Sequence, residues 1–330
     1  VSNIPNTHRV SVLIPVYNSE DSIGQLVDTV VSTLQPLVHL WEIILVNDGS
    51  RDRSHEVILS AIERHPTLIK YVQLFRNFGE HNAVMCGLNH VTGDSVTIID
   101  DDFQNPPTEI VRLVAKLQEG YDVVYSYYDE KRHSWFRNIG SAFNDRVATL
   151  LLNKPPDLYL SSFKTIDRAL VKIIIQYRGP YPYIDGIILR STQRIGTQLC
   201  QHVERTVGKS GYTLRKLVRL WLNMFTGFSI LPLRITSYLG ILISFVALLL
   251  TLLFVLERIF APVLWTESNI PTGWASTIVA ITFLAGLQLI MLGMIGEYLG
   301  RLFLTVNGTP QFLIRTTYGI DTELPHDTSG

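Results

Sequence analysis

The apolar positions in the N-terminal part of the chain follow two periods in turn. "RVSVLIPV" (9–16) is a near-continuous apolar run of strand length. Behind it Ile23, Leu26, Val27, Val30, Val31 and Leu34 recur at i, i+3, i+4, i+7, one face of an amphipathic helix. The couplet repeats: "WEIILV" precedes a helix from about Arg53, "IKYVQLF" one from about Glu80, and "SVTIID" one that Pro107 starts in its first turn. Strands alternating with helices predict an α/β domain with a mainly parallel sheet covered on both faces. In such sheets the ligand crevice lies beyond the carboxyl ends of the strands. There stand Pro15-Val16-Tyr17-Asn18, Asn47-Asp48-Gly49-Ser50, Arg76-Asn77-Phe78-Gly79 and Asp100-Asp101-Asp102.

The C-terminal part has a different pattern. Residues Ile235 to Leu256 and Ser268 to Gly296 contain no charge, and each run exceeds the roughly 20 apolar residues that cross about 30 Å of hydrocarbon. Two transmembrane helices are expected, at about 235–257 and 274–300. Between Thr213 and Ile230, Leu214, Leu217, Val218, Trp221, Leu222 and Phe225 line one helical face, with Arg215, Lys216 and Arg219 opposite. That pattern predicts an interfacial helix. Gly240, Ser244, Ala247 and Thr251 on one span, and Gly286, Gly293 and Gly300 on the other, form small-residue stripes suited to close helix packing. Glu297 and Arg301 are spaced to pair at the membrane edge. Basic residues flank the spans (Arg215, Lys216, Arg219 and Arg234 before, Arg301 and Arg315 after), while only Arg258 lies between them. Both termini are therefore expected in the cytoplasm. "VSNIPNTHRVSV" has no charged-then-apolar signal pattern, in keeping with that side. The expected organisation is a catalytic domain over 1–212, an interfacial segment over 213–232, two spans within 233–304 and a cytoplasmic tail over 305–330.

Composition adds little beyond this. The 330 residues are 47% hydrophobic and 17% charged with a net charge of −1, which gives no electrostatic argument for nucleic acid. The two cysteines, Cys86 and Cys200, match neither a disulfide framework nor a zinc pattern.

The candidate chemistry centres on "IIDDDFQNPP" (98–107). Carboxylates gathered at one edge repel each other unless a cation neutralises them, and hard oxygen ligands suit Mg²⁺ or Mn²⁺. Strand alternation puts Asp100 and Asp102 on one side with Gln104 in phase, the spacing of a metal site shared with a ligand's phosphates. A solvated acidic turn is the other reading of a lone DDD. No G-x-G-x-x-G follows any strand, and "GKSG" (208–211) has Val203 where a P-loop needs its first glycine. Dinucleotide and P-loop sites are thereby excluded.

"VSVLIPVYNSEDSI", "EIILVNDGSRDRS", "FRNFGEHNAVMCGLNHVTGD" and "IIDDDFQNPPTEI" resemble, in this order, the successive blocks of family 2 glycosyltransferases of GT-A fold. More narrowly they look like polyisoprenyl-phosphate glycosyltransferases, the bactoprenol glucosyltransferases and dolichol-phosphate mannose synthases. "DLYLSSFKTIDRALV", "VERTVGKSGYTLRKL" and "FSILPLRI" continue the likeness, to about residue 315. Departures are Asp101 where a small residue is common, Asn105 where an aspartate is common and Gly211 where a basic residue is usual. The resemblance implies that Pro15, Tyr17, Glu20 and Asp48 hold the uracil and ribose, with Asn77 and Gly79 completing that wall. It places Asp100 and Asp101 near the ribose and sugar, and Asp102 and Gln104 on the divalent ion. Tyr17 as core packing, "NDGS" as a plain turn and Asn77-Phe78-Gly79 as a helix cap remain open alternatives.

A divalent ion stabilises the charge that grows on a leaving diphosphate. Arg205 and Lys209, together with Arg132 and Arg137, are candidates for the donor diphosphate or the acceptor phosphate, a solvated basic face being the alternative. The resemblance places Asp157 beside the acceptor as a candidate base. A phosphate monoester is already largely ionised near neutrality, so an orienting role for Asp157 stays open. The expected reaction is inverting transfer of a hexose, glucose from UDP-glucose first, to polyprenyl phosphate. UDP-4-amino-arabinose derivatives and GDP-mannose are alternative donors. Anchoring beside the lipid raises its effective concentration, and the likeness favours a homo-oligomer, possibly a tetramer, in a bacterial-type inner membrane. A processive synthase lacks support because no Q-x-x-R-W occurs; a non-catalytic flippase subunit predicts no donor turnover.

Overall fold

The structure is a computed structural model. It describes residues 4–128, 154–155, 158–201, 236, 238–243, 245–246, 249, 252 and 274–320. Strands Arg9–Val16 (β1), Leu40–Asn47 (β2), Ile69–Leu74 (β3) and Ser95–Ile98 (β4) alternate with helices Ile23–Leu34 (α1), Ser54–Arg64 (α2), Glu80–Leu88 (α3) and Glu109–Leu117 (α4). β1 coincides with the expected run, and the buried face of α1 is the set Ile23, Leu26, Val27, Val30, Val31 and Leu34 that the period picks out. Each such aliphatic side chain contributes at most about 1.5–3 kcal/mol on burial. Every β1 residue after Arg9 is buried, as a parallel strand covered on both faces requires.

Further along come β5 (Val123–Tyr127), β6 (Lys164–Asp167), α5 (Arg168–Ile174), α6 (Ile184–Ser191), β7 (Ile195–Leu199), α7 (Trp274–Val306) and β8 (Ile314–Tyr318). The eight strands form one sheet in the order β7-β5-β6-β4-β1-β2-β3-β8. Pairing is parallel from β4 through β1 and β2 to β3 and between β5 and β7, and antiparallel where β6 meets β4 and β5 and where β8 meets β3. This is the mixed α/β, mostly parallel GT-A architecture.

The chain divides into two compact units, Val1–Leu217 with Gly308–Gly330, and Val218–Asn307. Residues 305–330, expected as a tail, thus contain a strand of the catalytic sheet. β8 runs antiparallel along the β3 edge, with Tyr318 opposite Tyr71 and their rings stacked at 5.7 Å. In the second unit, α7 carries one stretch long and apolar enough to cross a membrane, Phe283–Val306, of mean hydropathy 1.5. It reaches further toward the C-terminus than the expected 274–300. Glu297 and Arg301 pair there at 3.0 Å. The other expected span, about 235–257, is described only in part, as helix at the described positions, and the interfacial segment lies outside the described residues.

Candidate active site

The sheet order reverses between β1 and β4: β2 and β3 extend from one side of β1, β4 lies on the other. A crevice opens at such a point beyond the strand ends. β1–β4 pairing stops at Leu13↔Ile98, with Ile99 N–H still donating to the Leu13 carbonyl at 3.0 Å. Buried Pro15 follows, where a residue without an N–H leaves no ladder bond unmade. Side chains then bridge the gap. Asp101 Oδ2 accepts from the Tyr17 N–H at 3.1 Å and from the Ser19 hydroxyl. The Tyr17 ring stays 45% exposed, free to stack on a ligand rather than packed in the core.

The β2 end is built around Asp48. Its two carboxylate oxygens accept from the Phe78 N–H (2.7 Å) and the Gly79 N–H (2.9 Å), clamping residues 76–79 to β2. Burial pushes the Asp48 carboxyl up to about 6, against the lowering effect of those two N–H groups and of Arg76. The approach is close enough to dictate Gly49, whose φ is +64° and where a Cβ would come within 2.4 Å of the Arg76 carbonyl carbon. Glu20 accepts from Arg53 at both its N–H (2.9 Å) and Nε (3.2 Å), while its own N–H donates to Asp52 at 3.0 Å. Asn77 is exposed, and Gly79 is the cap of α3, with φ +98° and no side-chain cap bond.

At the β4 end the chain does not stay extended, as the alternation of Asp100, Asp102 and Gln104 requires. It turns at 101–105, with Phe103 at φ +60°, ahead of Pro106 and Pro107. Asp102 Oδ1 accepts from the Gln104 N–H at 3.2 Å within that turn. The three carboxylates still share one neighbourhood. Burial, then the charge of Glu80, push Asp100 up to about 7; the Ser162 hydroxyl opposes this, and Asp102 and Asp101 reinforce it. Asp101 is raised by burial first, with the Ser19 and Tyr17 bonds opposing. Glu80 keeps solvent access yet stands in a densely walled setting, so its carboxyl is raised by burial first, lowered by Lys164 and raised by Asp185, Asp101 and Asp102.

Among the described residues no three His, Cys, Asp or Glu side chains converge as a closed metal cage. The donor set nonetheless fits Mg²⁺ or Mn²⁺. Such ions are commonly held by one or two carboxylates plus substrate phosphates, and mutually raised carboxyls mark a place short of positive charge. Asp157, Arg205, Lys209, Arg132 and Arg137 lie outside the described residues. Four groups that the sequence reading did not single out join the site: Ser19 and Ser162 bond Asp101 and Asp100, and Glu80 and Lys164 act through charge. Ser19 and Glu80 stand beside the quoted strand-end blocks, whereas Ser162 and Lys164 belong to "SSFKTID".

Residues 11–172 match the family described as glycosyl transferase family 2. Relatives extend the match beyond that segment. The undecaprenyl-phosphate 4-deoxy-4-formamido-L-arabinose transferase of Proteus mirabilis (strain HI4320) is 32% identical over 97% of both chains. That of Serratia proteamaculans (strain 568) is 33% identical, again over 97% of both. The chain belongs to the family 2 glycosyltransferases. It is accordingly an enzyme of the glycosyltransferase class. Glucosyl-3-phosphoglycerate synthase from Mycobacterium tuberculosis, solved with Mn²⁺, UDP-glucose and phosphoglyceric acid, shares the fold at a TM-score of 0.50 and 19% identity, over 67% of this chain and 78% of that one.

Proposed function

We propose that the enzyme transfers a 4-deoxy-4-formamido-arabinose, or a close 4-amino-arabinose derivative, from its UDP donor to undecaprenyl-type polyprenyl phosphate. The observation that carries this is the likeness over 97% of both chains to transferases named for that sugar and that lipid. It moves the donor away from glucose, the first expectation, to one of its alternatives. Pro15, Tyr17 and Glu20 with Asp48 form the nucleotide wall, and the turn held by Asp48 (Asn77, Gly79) completes it. Asp100 and Asp101 face the ribose and sugar; Asp102 and Gln104 are the metal ligands. Bound there, a divalent ion supplies Lewis-acid stabilisation of the leaving diphosphate. Arg205, Lys209, Arg132, Arg137 and Asp157 are assigned to the phosphates and the acceptor on sequence alone. The acceptor oxygen arrives ionised, so one in-line displacement with inversion suffices. The C-terminal apolar helix keeps the enzyme beside its lipid in the inner membrane, catalytic unit in the cytoplasm.

Membranes carrying the enzyme, given a panel of labelled nucleotide sugars and polyprenyl phosphate, are expected to make lipid product from the UDP-formamido-arabinose donor well above UDP-glucose and GDP-mannose. Preference for either hexose refutes the sugar assignment, and retention of donor configuration refutes the single displacement.

The nucleotide wall also carries a pH prediction. Protonating Asp48 converts an acceptor of two N–H groups into a poorer one, so UDP affinity should fall as pH drops through about 6. Stability should respond oppositely. With the folded pKa raised, the contribution of this group is fully present below the ordinary carboxylate value and is lost as pH rises through about 6. Calorimetric UDP binding and thermal unfolding from pH 5 to 8 check both signs, and Asp48→Asn should remove both limbs. A wild-type UDP affinity that is flat over this range would contradict the assignment.

A further inference from the structure

A buried charge network adjoins the carboxylate loop. Lys164 on β6 and Asp185 in the first turn of α6 form an ion pair with 5% and 10% of their side chains exposed. Tyr125 on β5 donates its hydroxyl to the same Asp185 oxygen at 2.9 Å, and Lys164 Nζ stands 5.1 Å from the centre of the Tyr125 ring. Such a pair is a weak source of stability. Desolvating both charges costs about as much as their attraction returns, and apolar side chains of similar volume often do as well or better. Stability alone gives no reason for a lysine in an interior strand.

Its surroundings do. Lys164 pairs across the sheet with Ile98, the last residue of β4 before the carboxylate loop, and Ser162, two residues earlier, donates to Asp100. Tyr183, two residues before Asp185, packs edge-to-face on His81 at 5.2 Å and 87°. His81 and Glu80 form the first turn of α3. Burial holds His81 down at about 4, so its imidazole is neutral and able both to donate and to accept. Lys164 is the cation whose charge favours ionised Glu80 against Asp185, Asp101 and Asp102. One buried network thus touches both sides of the crevice: the β4 loop through Ser162 and Lys164, and the start of α3 through Tyr183.

We propose that Lys164, fixed by Asp185 and Tyr125, is a positioning residue that holds Glu80 and His81 as the wall orienting the donor's sugar against Asp100–Asp102. This rests on the glycosyl-transfer reading above. A pentose bearing hydroxyls and an amide presents O–H and N–H donors, which a carboxylate and a neutral imidazole can take up. The nucleotide wall meets this one at Gly79 but has its own anchor, Asp48, which accepts from the Phe78 and Gly79 N–H groups.

The test uses the full-length enzyme in lipid nanodiscs and the variants Lys164→Met, Lys164→Arg and Lys164→Met/Asp185→Leu. Thermal unfolding, UDP affinity, kcat and KM are measured for each. Lys164→Met strands a buried carboxylate and should lower both stability and kcat, the latter by about 10²-fold, the cost of a misplacement near 1 Å. The uncharged double variant should regain wild-type unfolding temperature and UDP affinity but not kcat, and Lys164→Arg should keep most of kcat. Wild-type kcat in a stable double variant would make the pair purely structural and overturn the proposal, as would a loss of UDP affinity in step with kcat. If the double variant fails to fold, Glu80→Gln carries the same test: lowered kcat at unchanged UDP affinity supports the wall, and unchanged kcat overturns it. Failure of the transfer reading would show in the wild-type enzyme; failure of this proposal shows in the variants alone.

Discussion

Asp102→Asn is expected to lower sugar transfer by about 10³-fold or more, while the protein folds at least as stably as before. A ligated cation is worth several kcal/mol at the transition state, and each 1.36 kcal/mol is a factor of ten. The amide keeps the shape of the side chain and an oxygen able to accept the Gln104 N–H, now at 3.2 Å, so the turn has no reason to open. What disappears is one negative charge from a crowded set. Asp102 is among the groups that raise Asp100 and Glu80, so without cation the variant should unfold at a higher temperature than wild type near pH 8, where self-repulsion is greatest. Excess chelator should abolish wild-type activity and change the residual activity of the variant little. Undiminished wild-type turnover in excess chelator, or near-wild-type kcat in Asp102→Asn, would refute the metal-dependent assignment.

The parts of this fold that the sequence reveals are those encoded locally. Ile23 to Leu34 repeat at helical spacing, and β1 is an apolar run bounded by polar residues, so both are readable without a partner. The positions of the strand-end blocks follow from the general geometry of parallel sheets. Alternation, by contrast, was carried one step too far: past Ile99 the backbone obeys Phe103 and the two prolines rather than the strand period, so Asp102 and Gln104 are related by a turn. Long-range features left weaker traces. The antiparallel insertion of β6 between β5 and β4 depends on partners far away in sequence. The role of Lys164 becomes visible only once Asp185, some twenty residues later, is brought beside it. The sugar was not legible for another reason: no described side chain distinguishes a hexose from a formamido-pentose by itself, and relatives carry that information.

β8 lies in what the sequence reading treats as a tail, although Ile314, Thr316, Thr317 and Tyr318 are strand-favouring residues, and cutting the chain after Asn307 is expected to show its weight. That cut removes the β3 ladder partners Ile314, Thr316, Thr317 and Tyr318, the bond from the Phe75 N–H to the Leu313 carbonyl at 3.0 Å, and Gln311, whose Nε2 donates to the Tyr177 and Gly179 carbonyls at 2.7 and 2.8 Å. At about 1 kcal/mol net per hydrogen bond and a further 0.5–1.5 kcal/mol, roughly, for the Tyr71–Tyr318 stack, the loss is about 4 kcal/mol or more. A domain commonly has only about 5–15 kcal/mol to lose. The bared β3 edge also becomes a template for pairing with other chains. Function should suffer in parallel, because Phe75 begins the turn that Asp48 clamps at residues 78 and 79. UDP affinity is therefore expected to drop about tenfold or more, the equivalent of 1.4 kcal/mol, even though no removed residue belongs to the nucleotide wall. A cut near Arg234 deletes the same strand along with the candidate membrane-spanning helix, so lost activity in such a protein says nothing about anchoring. The informative comparison retains residues 308–320, joined to the catalytic unit by a flexible linker in place of that helix and the residues before it: on the proposed anchoring it should bind UDP normally and glycosylate long-chain lipid poorly. Wild-type unfolding temperature and UDP affinity in the protein cut after Asn307 would show that β8 merely decorates the edge.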